Sequence, residues 1–271
     1  MTSLQERLEY SVLIAREAGE ITLRYFGKLG IDQRDDKSDG TPVTVADRAS
    51  ESHLRERIAE KYPNDAILGE EFDDKPGTSG YEWVIDPIDG TISFVQGVPL
   101  YGTMLACLHQ GHPEVGVVHM PALNETVYAA DGLGCWYTKG GSAPVEARVS
   151  RVDEPSRAIL NTTSLSYFRT PELRSLYERL DRVCKYSRGW SDAYAWVLLA
   201  TGRVDAVIEP ELKLWDFAAA IPIVRESGGI WSDLEGNASL EITQMLASNP
   251  DLHRSLMDEI TKHLGMSVDA G

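Results

Sequence analysis

The chain has 271 residues, 42% hydrophobic and 25% charged, with 42 acidic against 26 basic side chains and a net charge of −16. That is the composition of an ordinary soluble globular protein. The negative balance argues against a nucleic-acid backbone or an anionic membrane as the main partner, and it is compatible with bound divalent cations or a positively charged substrate. No apolar run approaches the roughly 20 residues of a membrane span. The start, MTSLQERLEY, lacks the apolar stretch of a signal peptide, so a cytoplasmic setting is expected. Three cysteines, Cys107, Cys135 and Cys184, are too widely spaced for a zinc pattern and odd in number, which suits buried packing in a reducing compartment.

In chain order, Leu8, Val12, Ala15, Gly19, Leu23 and Phe26 recur at spacings of three and four and predict a helix over 4–27. A polar loop containing DQRDDKSDGTP follows, then a helix from Val45 to Lys61 stopped by Pro63. Short strands are expected at 66–68 and 82–85, and a meander runs from Thr103 to Ala130 with DGLGCWYTKGG as a further hairpin edge. A charged, Pro-containing segment near 144–156 divides the chain into an N-terminal lobe, 1–145, and a C-terminal lobe, 146–271, of one compact unit. Beyond it come AILNTT, helices near 171–181 and 192–201, the strand VDAVIE, and helices over about 216–227 and 249–264. Helices and strands alternate without regular βαβ spacing, which predicts a layered α/β fold.

WVIDPIDGT, Trp83 to Thr91, ends an apolar strand with Asp86 and Asp89 on either side of a Pro87-Ile88 turn. Upstream, GEEF sets Glu70 and Glu71 after the short apolar AIL; downstream, LWDFAAA places Asp216 at a helix start. Carboxylates converging to about 4 Å repel by on the order of 4 kcal/mol per pair at an effective dielectric near 20. Such a cluster needs cations, and oxygen-only ligation favours Mg²⁺ or Mn²⁺ over zinc. Each piece also has a plainer account. Asp216 could cap a helix, Thr44 and Asp47 could form a capping box, and DPIDGT could be an acidic turn. Their ordered co-occurrence is the distinguishing feature.

PVTVAD (42–47), GEE (69–71), WVIDPIDGT (83–91) and WDFAAAIPIVRESGG (215–229), taken in that order, resemble the inositol monophosphatase-like superfamily of metal-dependent phosphatases. The resemblance spans nearly the whole chain and implies an α/β/α/β/α sandwich. It implies one metal on Glu70, Asp86 and the Ile88 carbonyl, a second on Asp86, Asp89 and Asp216, and a third, weaker one reached by Glu70 through water. Glu71 would be a supporting acid. Gly90 and Thr91 would receive phosphate at a helix N-terminus, and Asp47 with the Thr91 hydroxyl would orient the attacking water. The implied reaction is phosphomonoester hydrolysis by metal-activated water, without a protein nucleophile. The chain departs from the family pattern after Thr91, where Ile92-Ser93-Phe94 stands in place of a residue followed by Asn-Phe.

SRGWSDAYAWVLLATGRVD replaces the Gly-Ser-Ala stretch common in the inositol-hydrolysing branch and looks like the bacterial histidinol-phosphate phosphatase branch. L-Histidinol phosphate carries an ammonium group and an imidazole. Arg188 could grip phosphate bidentately, Asp192 could pair with the ammonium, Glu209 could receive another polar group, and Trp190 could wall the imidazole. The structural alternatives are a dipole-favoured Asp192, a surface Arg188, a Trp190 in core or interface, and Tyr194 and Trp196 as packing. The rival substrate readings are an inositol-1-monophosphatase or a broad sugar-phosphate phosphatase. Bisphosphate and nucleotide branches rank lower because no basic cluster accompanies the later motifs. A non-enzymatic RNA- or protein-binding regulator is the remote alternative. A homodimer is the family expectation, and in the loop over 31–41 the stretch from Lys37 to Pro42 is placed to close over the site.

Overall fold

The computed structural model describes residues 3–28, 34–36, 42–190 and 192–265. Helix α1 (Leu4–Leu23) begins at Ser3, whose hydroxyl accepts the Glu6 N–H at 3.1 Å. It stops short of residue 27. The Thr22 hydroxyl donates to the Gly19 carbonyl at 2.7 Å, and the Tyr25 and Phe26 N–H groups both return to Thr22, which tightens the chain into turns. Strands β1 (Arg34–Asp36) and β2 (Pro42–Thr44) pair antiparallel ahead of α2 (Val45–Lys61). Apart from β1, the proposed lid over 31–41 lies outside the described residues.

A seven-stranded sheet runs in chain order: β3 (Ala66–Gly69), β4 (Tyr81–Asp89), β5 (Gly102–His109), β6 (His112–Met120), β7 (Glu125–Ala130), β8 (Gly134–Lys139) and β9 (Val145–Glu146). Only β3 and β4 are parallel; the other neighbours are antiparallel. The short helix α3 (Thr91–Val95) links β4 to β5. A second, five-stranded sheet has the order β11 (Tyr186–Arg188), β10 (Ile159–Asn161), β12 (Ala206–Glu209), β14 (Met245–Ser248), β13 (Ile230–Ser232). Its helices are α4 (Pro171–Val183), α5 (Asp192–Ala200), α6 (Leu214–Phe217), α7 (Ala220–Glu226) and α8 (Pro250–Leu264).

Strand alternation sorts side chains into layers. Leu105 and Cys107 pack with Ile14, Leu54 and Ile58 under α1 and α2, whereas Met104, Ala106 and Leu108 face Trp196, Phe217 and Val224 from α5, α6 and α7. In the second sheet, Val207 faces this middle layer, while Ala206 and Ile208 face Leu176 and Leu180 of α4 and Leu252 and Leu256 of α8. The result is helix, sheet, helix, sheet, helix: the layered α/β sandwich expected from the sequence.

The helix expected over 216–227 is instead two short ones. Pro222 has no N–H to return to Ala218, and the Asp216 carbonyl accepts the Trp196 indole N–H at 3.2 Å. Helix α3 opens at Thr91, where the resemblance placed a helix N-terminus, whereas strands β11, β13 and β14 were not predicted; at three or four residues each, they carry too little periodicity to read.

Candidate active site

In a regular strand, residues three apart point to opposite faces. Asp86 and Asp89 escape this because β4 carries a bulge. Asp86 lies opposite Met104 and Asp89 opposite Gly102, so three steps on β4 match two on β5. The bulge is held by two bonds, the Ile88 N–H to Asp86 Oδ1 at 3.1 Å and the Thr103 hydroxyl to the Pro87 carbonyl at 2.9 Å. Gly90 follows with φ +91°, a left-handed conformation suited to glycine. A Cβ there would lie 3.1 Å from an Asp192 carboxylate oxygen, so the glycine also admits that side chain.

Asp216 arrives from α6, where its Oδ2 accepts the Lys213 N–H at 2.8 Å. The capping account of this residue therefore holds for one oxygen and leaves the carboxylate in the cluster. Carboxylate oxygens of Asp86, Asp89 and Asp216 all lie within 4.8 Å of one another. Glu70 stands outside that tight trio but lines the same cleft, and its charge acts on all three. Burial first, then the neighbouring carboxylates, pushes Asp86 and Asp89 well above the ordinary range. Asp216 is raised to about 7 by burial, against the opposing Lys213 N–H.

Asp47 is fully buried on the first turn of α2. Its Oδ2 accepts from the Thr44 N–H at 2.8 Å and the Thr44 hydroxyl at 2.6 Å, while Oδ1 has no hydrogen-bond partner. Burial raises it to about 7, opposed by Thr44 and assisted by Glu71 and Glu70. The expected Asp47–Thr91 pair is not formed; the Thr91 hydroxyl donates to the Ile88 carbonyl at 3.1 Å. Glu71 lies off the cleft wall, with its N–H on Glu51 Oε2 at 2.9 Å.

The cleft has a volume of about 490 Å³. The same cleft is lined by Asp192 and Glu209, together with Glu211, which the sequence motifs do not single out; of these, Asp192 acts most strongly on Asp89. Glu209, at the end of β12, is buried and raised well above its usual range by desolvation and then Asp192; it accepts the Thr163 N–H at 2.7 Å. Asp192 opens α5 with φ +47°, its N–H on the Thr163 hydroxyl at 3.0 Å. Such a φ is uncommon outside glycine. Tyr167, Trp215, Arg169 and Lys213 also line the cleft and were not foreseen. Tyr167 sits on a single 3₁₀ turn, which has no sequence periodicity to betray it. Trp196, expected as packing, is buried and also lines the cleft.

Arg188 and Trp190 lie outside the cleft walls. Arg188 ends the exposed edge strand β11 and donates to the Ser187 carbonyl at 2.7 Å, and Trp190 is 39% exposed with its N–H on Asn161 Oδ1. The edge position of β11 turns both toward solvent.

A divalent cation fits this donor set. The trio offers carboxylate oxygens only, its members oppose one another's ionisation, and Asp47 adds a buried oxygen with no protein partner. Hard dications take all-oxygen sites of this kind.

The sequence pattern of the Inositol monophosphatase family matches residues 3–267. Among curated relatives, the chain is 38% identical over 254 residues to a histidinol-phosphatase of Chlorobaculum parvum, covering 93% of this chain and 96% of that one. It is also 38% identical to a histidinol-phosphatase of Mycobacterium tuberculosis, over 93% and 97% of the two chains. Among solved structures, it is similar to a Thermotoga maritima IMPase, with a TM-score of 0.84 at 29% identity over 96% of this chain and 98% of that one.

Proposed function

This chain belongs to the inositol monophosphatase family of metal-dependent phosphatases, and from that premise we propose that it hydrolyses L-histidinol phosphate to L-histidinol and phosphate. The observation that carries the substrate is the acidic lining that the cleft adds to the trio: Asp192, Glu209 and Glu211 present acidic groups where an inositol ring would offer only neutral hydroxyls. The substrate ammonium pairs with Asp192, and the imidazole lies toward Glu209. Tyr167 and Trp215 supply the aromatic wall first expected of Trp190, because they line the cleft and Trp190 does not. The names of two relatives at 38% identity lend the same reading support.

In this reading Glu70, Asp86, Asp89, Asp216 and the Ile88 carbonyl hold two or three Mg²⁺ ions, with Mn²⁺ as a substitute. When bound, these ions activate the attacking water and neutralise charge on the phosphate and leaving oxygen. The protein's own part is placement. The bulge in β4 aims Asp86 and Asp89 together, and the first N–H groups of α3, which have no partner inside the helix, face an anion favourably. Asp47 Oδ1, buried and raised to about 7, accepts the proton of the attacking water, with Glu71 a supporting charge and Thr91 an orienting hydroxyl. In solution the chain is a homodimer, which light scattering would check.

The deciding experiment compares kcat/KM for L-histidinol phosphate and inositol 1-phosphate, each with and without chelator. Preference for histidinol phosphate that chelator abolishes is expected. Preference for inositol 1-phosphate would replace the substrate and keep the reaction. No chelator-sensitive hydrolysis of any ester would remove the enzymatic reading and favour a binding role.

A further inference from the structure

Asp47, Glu51 and Arg55 fall on successive turns of α2, at i, i+4 and i+8, and so form one stripe. Asp47 is near enough for its charge to act on Asp86 and to feel Glu70 and Glu71, and the next two turn to the segment that carries Glu70. The Glu51 side chain is fully buried. Its Oε2 accepts the Glu71 N–H at 2.9 Å, and its Oε1 accepts Arg55 Nε at 2.7 Å. Arg55 then uses its other two nitrogens on the chain beyond Glu71, donating to the Phe72 carbonyl at 3.1 Å and the Asp73 carbonyl at 3.0 Å. On the other side of Glu70, its own N–H returns to the Ile85 carbonyl at 3.3 Å, next to Asp86.

Beyond this clamp the chain is next tied at Lys75, whose backbone pairs with Ile67 at 2.8 and 2.9 Å, and two further observations mark the clamp as the hold on residues 71–73. Residues 72–74 are exposed, with Phe72 at 40%, so little apolar burial fixes them. Gly69 is required by the clamp: a Cβ there would stand 2.1 Å from Glu51 Oε1 and 2.9 Å from an Arg55 terminal nitrogen. The glycine that opens GEE is thus explained by the carboxylate lying against it.

We propose that Glu51 and Arg55 are positioning residues, which tie the backbone around Glu70 to the helix of Asp47 and thereby set the affinity of the site for its metal. The proposal rests on Glu70 being a metal ligand, as argued above. The Glu70 N–H on the Ile85 carbonyl ties the backbone on one side, and the Glu51–Arg55 pair ties it on the other. Clamped on both sides, the Glu70 carboxylate meets the trio without an ordering cost at the moment of binding.

The test is calorimetric titration of the intact chain with Mg²⁺, for the wild type, Arg55→Ala, Arg55→Lys and Glu51→Gln, with a melting curve for each. Groups that orient a metal's ligands are typically worth 10–100-fold in affinity, so Arg55→Ala is expected to bind Mg²⁺ at least about tenfold more weakly. Its kcat at saturating Mg²⁺ should stay close to wild type. Arg55→Lys keeps the charge but lacks the fork that reaches three acceptors, and it should bind as weakly as Arg55→Ala. Glu51→Gln keeps an acceptor for the Glu71 N–H and should lose less. Wild-type affinity in an Arg55→Ala chain that melts cooperatively would overturn the positioning role and leave the metal site standing. Absence of Mg²⁺ binding by the wild type itself would instead overturn the reading of Glu70 on which the proposal rests.

Discussion

The indole N–H of Trp196 donates to the backbone carbonyl of Asp216 at 3.2 Å, joining α5 to α6 behind the carboxylate trio. The bond occupies a carbonyl that a continuous helix would have kept for itself, so it both ends α6 and fixes the residue whose side chain faces the cleft. Trp196→Phe keeps most of the buried ring and removes the donor. A lost buried hydrogen bond is worth about 1–2 kcal/mol, so a small fall in melting temperature is expected, together with a three- to tenfold fall in kcat/KM on the order of the same energy. Melting curves and steady-state kinetics would check it; kinetics unchanged beside a lowered melting temperature would mean that the indole stabilises without placing Asp216.

The trio stores repulsion. Two full charges at 4.8 Å oppose each other by about 3 kcal/mol at an effective dielectric near 20. Asp89→Asn removes one of them. The variant should lose activity by orders of magnitude, yet melt at a higher temperature than wild type when both are metal-free at pH 8. Adding Mg²⁺ should stabilise the wild type strongly and the variant little. A metal-free variant less stable than wild type would show that Asp89 is held by bonds rather than opposed by charge.

Protons compete with the metal. Asp47 and Asp216 are raised from 3.8 to about 7 in the folded chain. The unfolded chain therefore releases these protons first as pH rises, and their contribution to stability is present below about 4 and lost as pH climbs through about 7. The metal-free protein should accordingly lose stability from this source between pH 5 and 8, while the gain in melting temperature given by Mg²⁺ grows over the same interval. A Mg²⁺ gain independent of pH would place the metal elsewhere.

What the sequence reveals of this site depends on how each residue reaches it. Asp86, Asp89 and Asp216 are legible because short motifs carry them and because those motifs occur together in order, although each acid alone has a plainer account. The bulge that makes Asp86 and Asp89 point the same way is not legible, since nothing in DPIDGT states the register of β5. Tyr167, Arg169 and Glu211 come to the cleft through a 3₁₀ turn and loops, where no periodicity links position to burial. Arg188 and Trp190 show the opposite error. The resemblance of SRGWSD to the histidinol-phosphate branch suggested one shared site, but the chain passes from the exposed edge of β11 into the cleft within four residues. Helices α4 and α8, with strongly amphipathic faces, were foreseen almost to their ends, because burial of one face imposes its period on the text; the buried face of α2 is partly polar, Asp47, Ser50 and Glu51 among it, and its end was legible instead from Pro63.

Gly116 marks where α7 meets the large sheet. A Cβ at this position of β6 would lie 2.0 Å from the Ala219 carbonyl and 2.7 Å from Pro222. Backbone on one side and a rigid ring on the other leave no room to yield. Gly116→Ala should therefore cost about 1–3 kcal/mol, the usual range for overpacking, and should displace the α6–α7 segment that carries Asp216. Weaker Mg²⁺ binding in a folded variant is expected by calorimetry; a destabilised protein with wild-type affinity would mean that the strain is absorbed without reaching Asp216.

His119 gives a pH response of the opposite sign, away from the metal site. It is buried beneath α1, its Nδ1 2.9 Å from the Thr126 hydroxyl, and a Cβ on Gly19 would touch its ring at 2.6 Å. Burial, and next the Arg16 guanidinium, lowers it from 6.5 to about 4. Below pH 6.5 the unfolded chain takes up the proton that the folded chain refuses. The stability this group contributes is therefore complete above pH 6.5 and drains away as pH falls toward 4, by about 3 kcal/mol at most. His119→Asn keeps a polar partner for Thr126 and cannot titrate. Because the site carboxylates titrate in the same window with the opposite slope, the measurement is the difference in unfolding free energy between wild type and variant, with saturating Mg²⁺ absent from both. That difference should move in favour of the variant as pH drops from 7 to 4.5. A constant difference across that range would show that His119 takes up its proton without unfolding the layer between α1 and the sheet.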